Sequence, residues 1–278
     1  MGRMLICCGK KAEIPLYMKE FQISVSTIEE LCYCLKKNIH MLDKSIMREK
    51  ICKFIEQEFE MAQLAGQLRS VIERQEGLSA FVSYIMKSIG YLSTEELLSL
   101  EAELKEVEGK SSVARRKAKA DFLLEQKKYA RAVMEYQAVL QEELLEDDKI
   151  TGDIYHNLGT VYSRMFFFDK AAKYYQMAYE KNQDEESYAC YLLALHMHLP
   201  KEEYVKVVTE EMVTEEMALA LEQRLGQALL EEKDSPKRNR MNEVVKYRQL
   251  GYVQEYYWAL EKVFDEYKQE YRGSMSEG

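Results

Sequence analysis

The sequence predicts an all-α protein, and three observations carry that prediction. The 278 residues include only 3 prolines and 12 glycines, too little punctuation for a fold built on many tight turns. Apolar residues recur at steps of three and four through most of the chain, the period of an amphipathic helix. Last, the stretch IYHNLGTVYSRMFFFDKAAKYYQMAYE, Ile154 to Glu180, crowds eight aromatic rings among Gly159, Ala171, Ala172 and Ala178. Small side chains set among large ones are what two helices need where their axes approach to ~8–10 Å.

The elements follow in order. Residues 4–25 mix β-branched and apolar side chains with Gly9 and Pro15 and hold no helical period, so a short strand is expected at 4–8. STIEELCYCLKKN, from Ser26, sets Glu29 and Glu30 at capping-box distance from Ser or Thr and starts a helix. Ile46, Ile51, Phe54, Ile55, Phe59, Leu64 and Leu68 then keep a 3.6-residue period, as one long helix or two, ending near Gly77. LSAFVSYIMKSIGYL makes another, ending near Gly90. Ser93 or Thr94 caps the next, where Leu97, Leu100, Leu104 and Val107 recur, and Gly109–Ser112 breaks it. Residues 1–110 therefore read as an N-terminal helical domain, with a bundle of four or five helices over 26–108.

In the aromatic stretch, Tyr155, Leu158, Gly159 and Tyr162 share one helix. Phe168, Ala171, Tyr175 and Ala178 share a second, with RMFFFD as the bend. These positions and spacings resemble the tetratricopeptide repeat, lacking only its closing proline, where Gln183 stands. Gly inside a helix costs roughly 1 kcal/mol against Ala, so Gly159 marks a place where backbones meet. Upstream, AKADFLLEQKKYARAVMEYQAVL follows the same pattern, with Ala120, Leu123, Tyr129, Ala132, Tyr136 and Val139 in the corresponding places. The offset is 39 residues, Ala120 to Gly159, against ~34 in the family. Downstream, ESYACYLLALHMHLPKEEYVKVV reads as a degenerate third repeat split at Pro200, and Glu215–Glu232 echoes the signature at Leu225, Gly226 and Leu229.

The resemblance covers residues 111 to about 210. It implies a helix-turn-helix solenoid over 111–232, preceded by the N-terminal bundle. One long C-terminal helix, 243–272, closes the chain. There Leu250, Val253, Tyr257, Leu260, Phe264, Tyr267 and Tyr271 form a heptad stripe. The stripe would cap the solenoid or pair two chains through 250–271. Capping is the expectation, because a stack of repeats must cover its last apolar face.

Composition excludes several function classes. A net charge of -9 opposes nucleic-acid binding, which draws its energy from phosphate neutralisation. The basic runs ARRKAK and PKRNR are flanked by acidic sequence and read as solvated faces. The apolar run near the N-terminus is short for a signal peptide, and Ile6 stands where myristoylation wants Ser or Thr. The charge-free stretch Ser187–Pro200 is too short to span a bilayer. A cytoplasmic protein is therefore expected, and its six cysteines, without zinc-knuckle spacing, then read as reduced thiols.

No nucleophile, phosphate-loop or dinucleotide motif occurs. His196 and His198 sit on opposite sides of a helix, and the acidic pairs Glu142–Glu143 and Asp147–Asp148 read as solvated helix ends. The expectation is therefore a protein that is not an enzyme and uses no cofactor or metal.

What the resemblance implies instead is a peptide-binding groove. Carried over residue by residue, its lining is Asp153, His156, Asn157, Thr160, Ser163 and Arg164. The preceding repeat adds Lys117, Asp121 and Leu124, and the degenerate one Tyr191 and His198. Asn157 stands where the family holds a peptide backbone, its amide offering a donor and an acceptor together. Lys117 and Asn157 match two places in the subgroup that grips the C-terminal carboxylate of chaperones. Asp121 and Tyr191 replace the Asn and Arg expected there, and Asp121 would repel such a tail.

The resemblance thus implies a non-catalytic scaffold or adaptor binding a protein or peptide segment. The alternative is a ligand-responsive transcription regulator with a DNA-binding head containing ISVSTIEELCYCLKKN, although Ile28–Asn38 sets two acids against two lysines. A subunit that oligomerises through its last helix is the third reading.

Overall fold

The computed structural model describes residues 10–141 and 147–275. The strand expected at 4–8 and the Glu142–Glu143 pair lie outside the described residues. What is described is all-α, fourteen helices and one short β-hairpin. The chain divides into two compact units, one running to Phe122 and the other starting at Leu123. The division falls inside a helix rather than at 110. The break at Gly109–Ser112 ends one helix and starts the next without separating two cores.

The first unit opens with a hairpin that periodicity did not reveal. Strands β1 (Leu16–Met18) and β2 (Ile23–Val25) pair antiparallel, Leu16 opposite Val25 and Met18 opposite Ile23. Leu16, Met18 and Val25 are buried while Tyr17 is exposed, the alternation of a half-covered strand. Helix α1 (Ile28–Lys37) starts as its capping box dictates. The Thr27 hydroxyl accepts from Glu30 N at 3.1 Å, and the Glu30 carboxylate accepts from Thr27 N at 3.2 Å.

The long periodic run resolves into two 3-10 turns and two helices, α2 (Glu49–Phe59) and α3 (Ala62–Arg74), separated by Glu60 in the left-handed region at φ 60°. Helices α4 (Leu78–Ile89) and α5 (Thr94–Gly109) pack together. Gly77 has no side chain to cap α4, so Glu108 of α5 supplies one, accepting from Leu78 N at 2.6 Å and Ser79 N at 3.4 Å.

Helix α6 (Ser112–Glu125) carries the chain across the division. The second unit continues with α7 (Tyr129–Leu140), α8 (Asp148–Arg164), α9 (Phe168–Asn182), α10 (Glu185–His198), α11 (Lys201–Glu210), α12 (Glu215–Lys233), α13 (Pro236–Gln249) and α14 (Val253–Met275). The α8–α9 pair has the most extensive contact, and its small residues explain why. A β-carbon on Gly159 would lie 2.7 Å from the Tyr175 ring, and one on Gly152 would lie 2.6 Å from Asn182 Cβ. Ala171 and Ala178 are fully buried between them.

The turns before α7 and α9 are the same turn, 39 residues apart. Lys127 and Phe166 adopt φ 57° and 63°. Lys128 and Phe167 follow at φ -90° and -91°. Lys127 N and Lys128 N donate to Leu124 O and Leu123 O as Phe166 N and Phe167 N donate to Ser163 O and Tyr162 O.

Along the second unit, α8 packs on α7, α10 on α9, α11 and α12 on α10, α13 on α12 and α14 on α13; α14 then returns to α7. The neighbours form a closed circuit. Lys128 Nζ, beside α7, donates to Gly273 O at 2.8 Å. Glu270 receives Lys127 at 3.6 Å and Lys237 at 2.8 Å.

The expected single helix over 243–272 is two. Gly251 takes φ 78°, with Gly251 N bonded to Arg248 O and Tyr252 N to Tyr247 O, a left-handed close that ends α13. The apolar period runs across this break, so periodicity alone did not reveal it.

Candidate interaction site

Helix α8 carries Asp153, Asn157, Thr160 and Arg164 at steps of four, three and four, which places them on one stripe. Asp153, Asn157 and Thr160 are half-buried and Arg164 is exposed. The stripe is held rigidly because the Gly152 and Gly159 positions of the same helix are pressed against α9. Two members are also tied down locally. The Thr160 hydroxyl donates to His156 O at 3.2 Å and accepts from the Tyr175 hydroxyl at 3.0 Å. Arg164 Nη1 reaches Leu124 O at 3.5 Å, a long contact that leaves the guanidinium outward.

His156 serves the core rather than the surface. Its Nδ1 lies 3.0 Å from the fully buried Ser187 hydroxyl, and its ring meets Tyr175 edge-on at 5.2 Å. Ser187 also reaches Asp184 Oδ2 at 3.3 Å. A carboxylate only accepts, so the Ser187 proton goes to Asp184 and His156 donates through Nδ1–H. Burial holds the imidazole below its ordinary pKa, against the pull of Asp184, Glu186 and Asp153. A neutral His156 thus braces α8, α9 and α10.

Tyr191 is likewise committed. It is buried, and its hydroxyl donates to Glu211 Oε1 at 2.8 Å while that of Tyr188 donates to Oε2 at 3.0 Å. Burial, then Glu211, pushes the Tyr191 phenol up and that of Tyr188 up to about 12. Lys117 and Asp121, on α6 in the first unit, pair with each other at 3.0 Å. Leu124 is buried, Ser163 is half-buried, and His198 is exposed at the end of α10. Of the residues the resemblance pointed to, the structure therefore brings Asp153, Asn157, Thr160 and Arg164 onto one face, with His156 and Tyr191 turned to packing.

A second surface lies at the C-terminal end of the chain. Helix α11 buries no residue, and α12, α13 and α14 bury one each, Leu221, Val244 and Val263. The stripe expected to cap the repeats is largely in solvent: Val253, Tyr257, Phe264 and Tyr271 are exposed. Val263, one position off the stripe, takes the buried place, because α14 meets its neighbours along a line rotated about 100° from the Phe264 side. Sequence reasoning also passed over Phe166, which is 78% exposed on the α8–α9 turn. Its signal was the run FFF, of which the packing pattern uses only Phe168.

Among the described residues no group of three or more His, Cys, Asp or Glu is placed to hold a metal ion, and no helix is long and apolar enough to cross a membrane. Burial pushes the thiols of Cys34, Cys52 and Cys190 up to about 11 and that of Cys32 up to about 12, so all four stay protonated and poorly nucleophilic. No family model, no curated protein and no solved structure matches the chain.

Proposed function

We propose that this chain is a non-catalytic scaffold that docks a segment of another protein along the α8 stripe. The observation that carries the reading is the placement of Asp153, Asn157 and Arg164 on one face of a helix pinned to α9 at Gly152 and Gly159. Carboxylate, amide and guanidinium stand in line. The eleven steps from Asp153 to Arg164 span ~16 Å at the helical rise, the length of about five residues of extended peptide.

A basic side chain near Asp153, a backbone amide on Asn157 and an acidic side chain near Arg164 would complement the stripe. The likeness of the α8–α9 positions to the tetratricopeptide repeat supports the same reading. The described cysteines are free thiols, in keeping with a cytoplasmic scaffold.

The test is affinity capture from the native lysate with the full chain and with an Asn157→Ala/Arg164→Glu variant. A partner retained by the first and lost by the second supports the assignment. Identical partner sets for both would remove the stripe from consideration.

A further inference from the structure

Along the outward side of α14, at steps of four, three, four and three, stand Tyr257, Glu261, Phe264, Lys268 and Tyr271. All five are exposed, the three rings at 64%, 49% and 65% for Tyr257, Phe264 and Tyr271. This order is self-complementary when reversed. Phe264 is seven residues from each tyrosine, so an antiparallel copy places Tyr257 against Tyr271 and Phe264 against Phe264. Glu261 lies three residues before Phe264 and Lys268 four after. Reversal therefore brings Glu261 opposite Lys268 with an offset of one residue, ~1.5 Å along the axis. A parallel copy would set Glu261 against Glu261 and Lys268 against Lys268, which repel.

We infer that α14 is an isologous contact through which two copies of this chain pair antiparallel about a two-fold axis at Phe264. The neighbours of the stripe are compatible with it. Among the described residues Lys268 pairs with Asp265, at 3.4 Å with both side chains exposed, and such a surface pair yields readily to a better one. The inward side of α14 is taken by Val263, so pairing uses surface that the monomer leaves in water. An aromatic side chain presents ~150–250 Å². Three rings about half exposed offer roughly 300 Å² per copy, well under the ~800 Å² per partner of a stable complex. The dimer is accordingly weak and concentration-dependent.

Sedimentation velocity of the full chain over a wide concentration range tests the proposal, with helicity checked by circular dichroism. The wild type should shift from monomer to dimer as concentration rises, and Phe264→Glu should stay monomeric at every concentration. If Phe264→Glu lost its fold, the exposed charges would still decide. Glu261→Lys alone and Lys268→Glu alone should each remain monomeric, while an equimolar mixture of the two should associate again, because both cross-pairs are then restored. A wild type monomeric throughout, or single charge variants that dimerise as well as the wild type, would overturn the inference. A mixture no more associated than its components would overturn it too.

Discussion

The Tyr175 ring occupies the space that a β-carbon on Gly159 would need, at 2.7 Å from its Cδ1. That contact joins the two helices that support the α8 stripe. Gly159→Ala gains roughly 1 kcal/mol of helix propensity but must displace a buried ring, and overpacking of this kind costs ~1–3 kcal/mol. Displacement wins, because Tyr175 is also held by Thr160 through its hydroxyl and cannot swing away freely. Denaturant unfolding should show net destabilisation, and an unchanged or raised midpoint would mean that α8 and α9 are further apart than described.

His156 makes stability pH-dependent. Burial holds its folded pKa below the unfolded one, so the unfolded state takes up protons first as pH falls. The contribution is fully present above the unfolded value of about 6.5 and declines below it, as Nε2 is protonated within the packed junction. Asn presents an N–H near the Nδ1 position without titrating. Unfolding free energy should drop between about pH 7.5 and 5.5 in the wild type, and His156→Asn should flatten that slope whatever its effect at neutral pH. Parallel slopes would clear His156 of the effect.

Phe166 holds φ 63° with its ring mostly in water. A left-handed conformation costs a side-chain-bearing residue about 1 kcal/mol that glycine does not incur. Phe166→Gly should therefore raise stability by about 0.5–1 kcal/mol, read from the denaturation midpoint. A loss of stability instead would mean that the edge contact of this ring with Phe168, at 6.0 Å, outweighs the backbone strain.

In the first unit, Glu108 accepts from the two leading N–H groups of α4. Glu108→Ala leaves both donors without that partner and should cost about 1–2 kcal/mol. Hydrogen exchange should quicken in α4 and α5 and leave α8 and α9 unchanged.

Much of the second unit was legible because its information is local. Gly159, Ala171 and Ala178 among aromatic rings announced the α8–α9 crossing, and the 39-residue spacing announced the repeated turn. The hairpin at 16–25 was not, since strands of three residues are too short to show alternation. The break at Gly251 was hidden by an apolar period that continues through it. For the site, Asp153, Asn157, Thr160 and Arg164 were named by the resemblance to the repeat, and helical spacing places the four on one stripe. The commitments of His156 to Ser187 and of Tyr191 to Glu211 cross between helices, and spacing within one helix carries no trace of such partners.

Lys128 and Gly273 meet across 145 positions of chain. Closing so long a loop costs about 4 kcal/mol of chain entropy, repaid only once the intervening helices are in place. On the ribosome, the second unit's first helices must wait with their α14-facing flank unclosed until α14 itself has been made. Synthesis, not only sequence, sets when this circuit shuts.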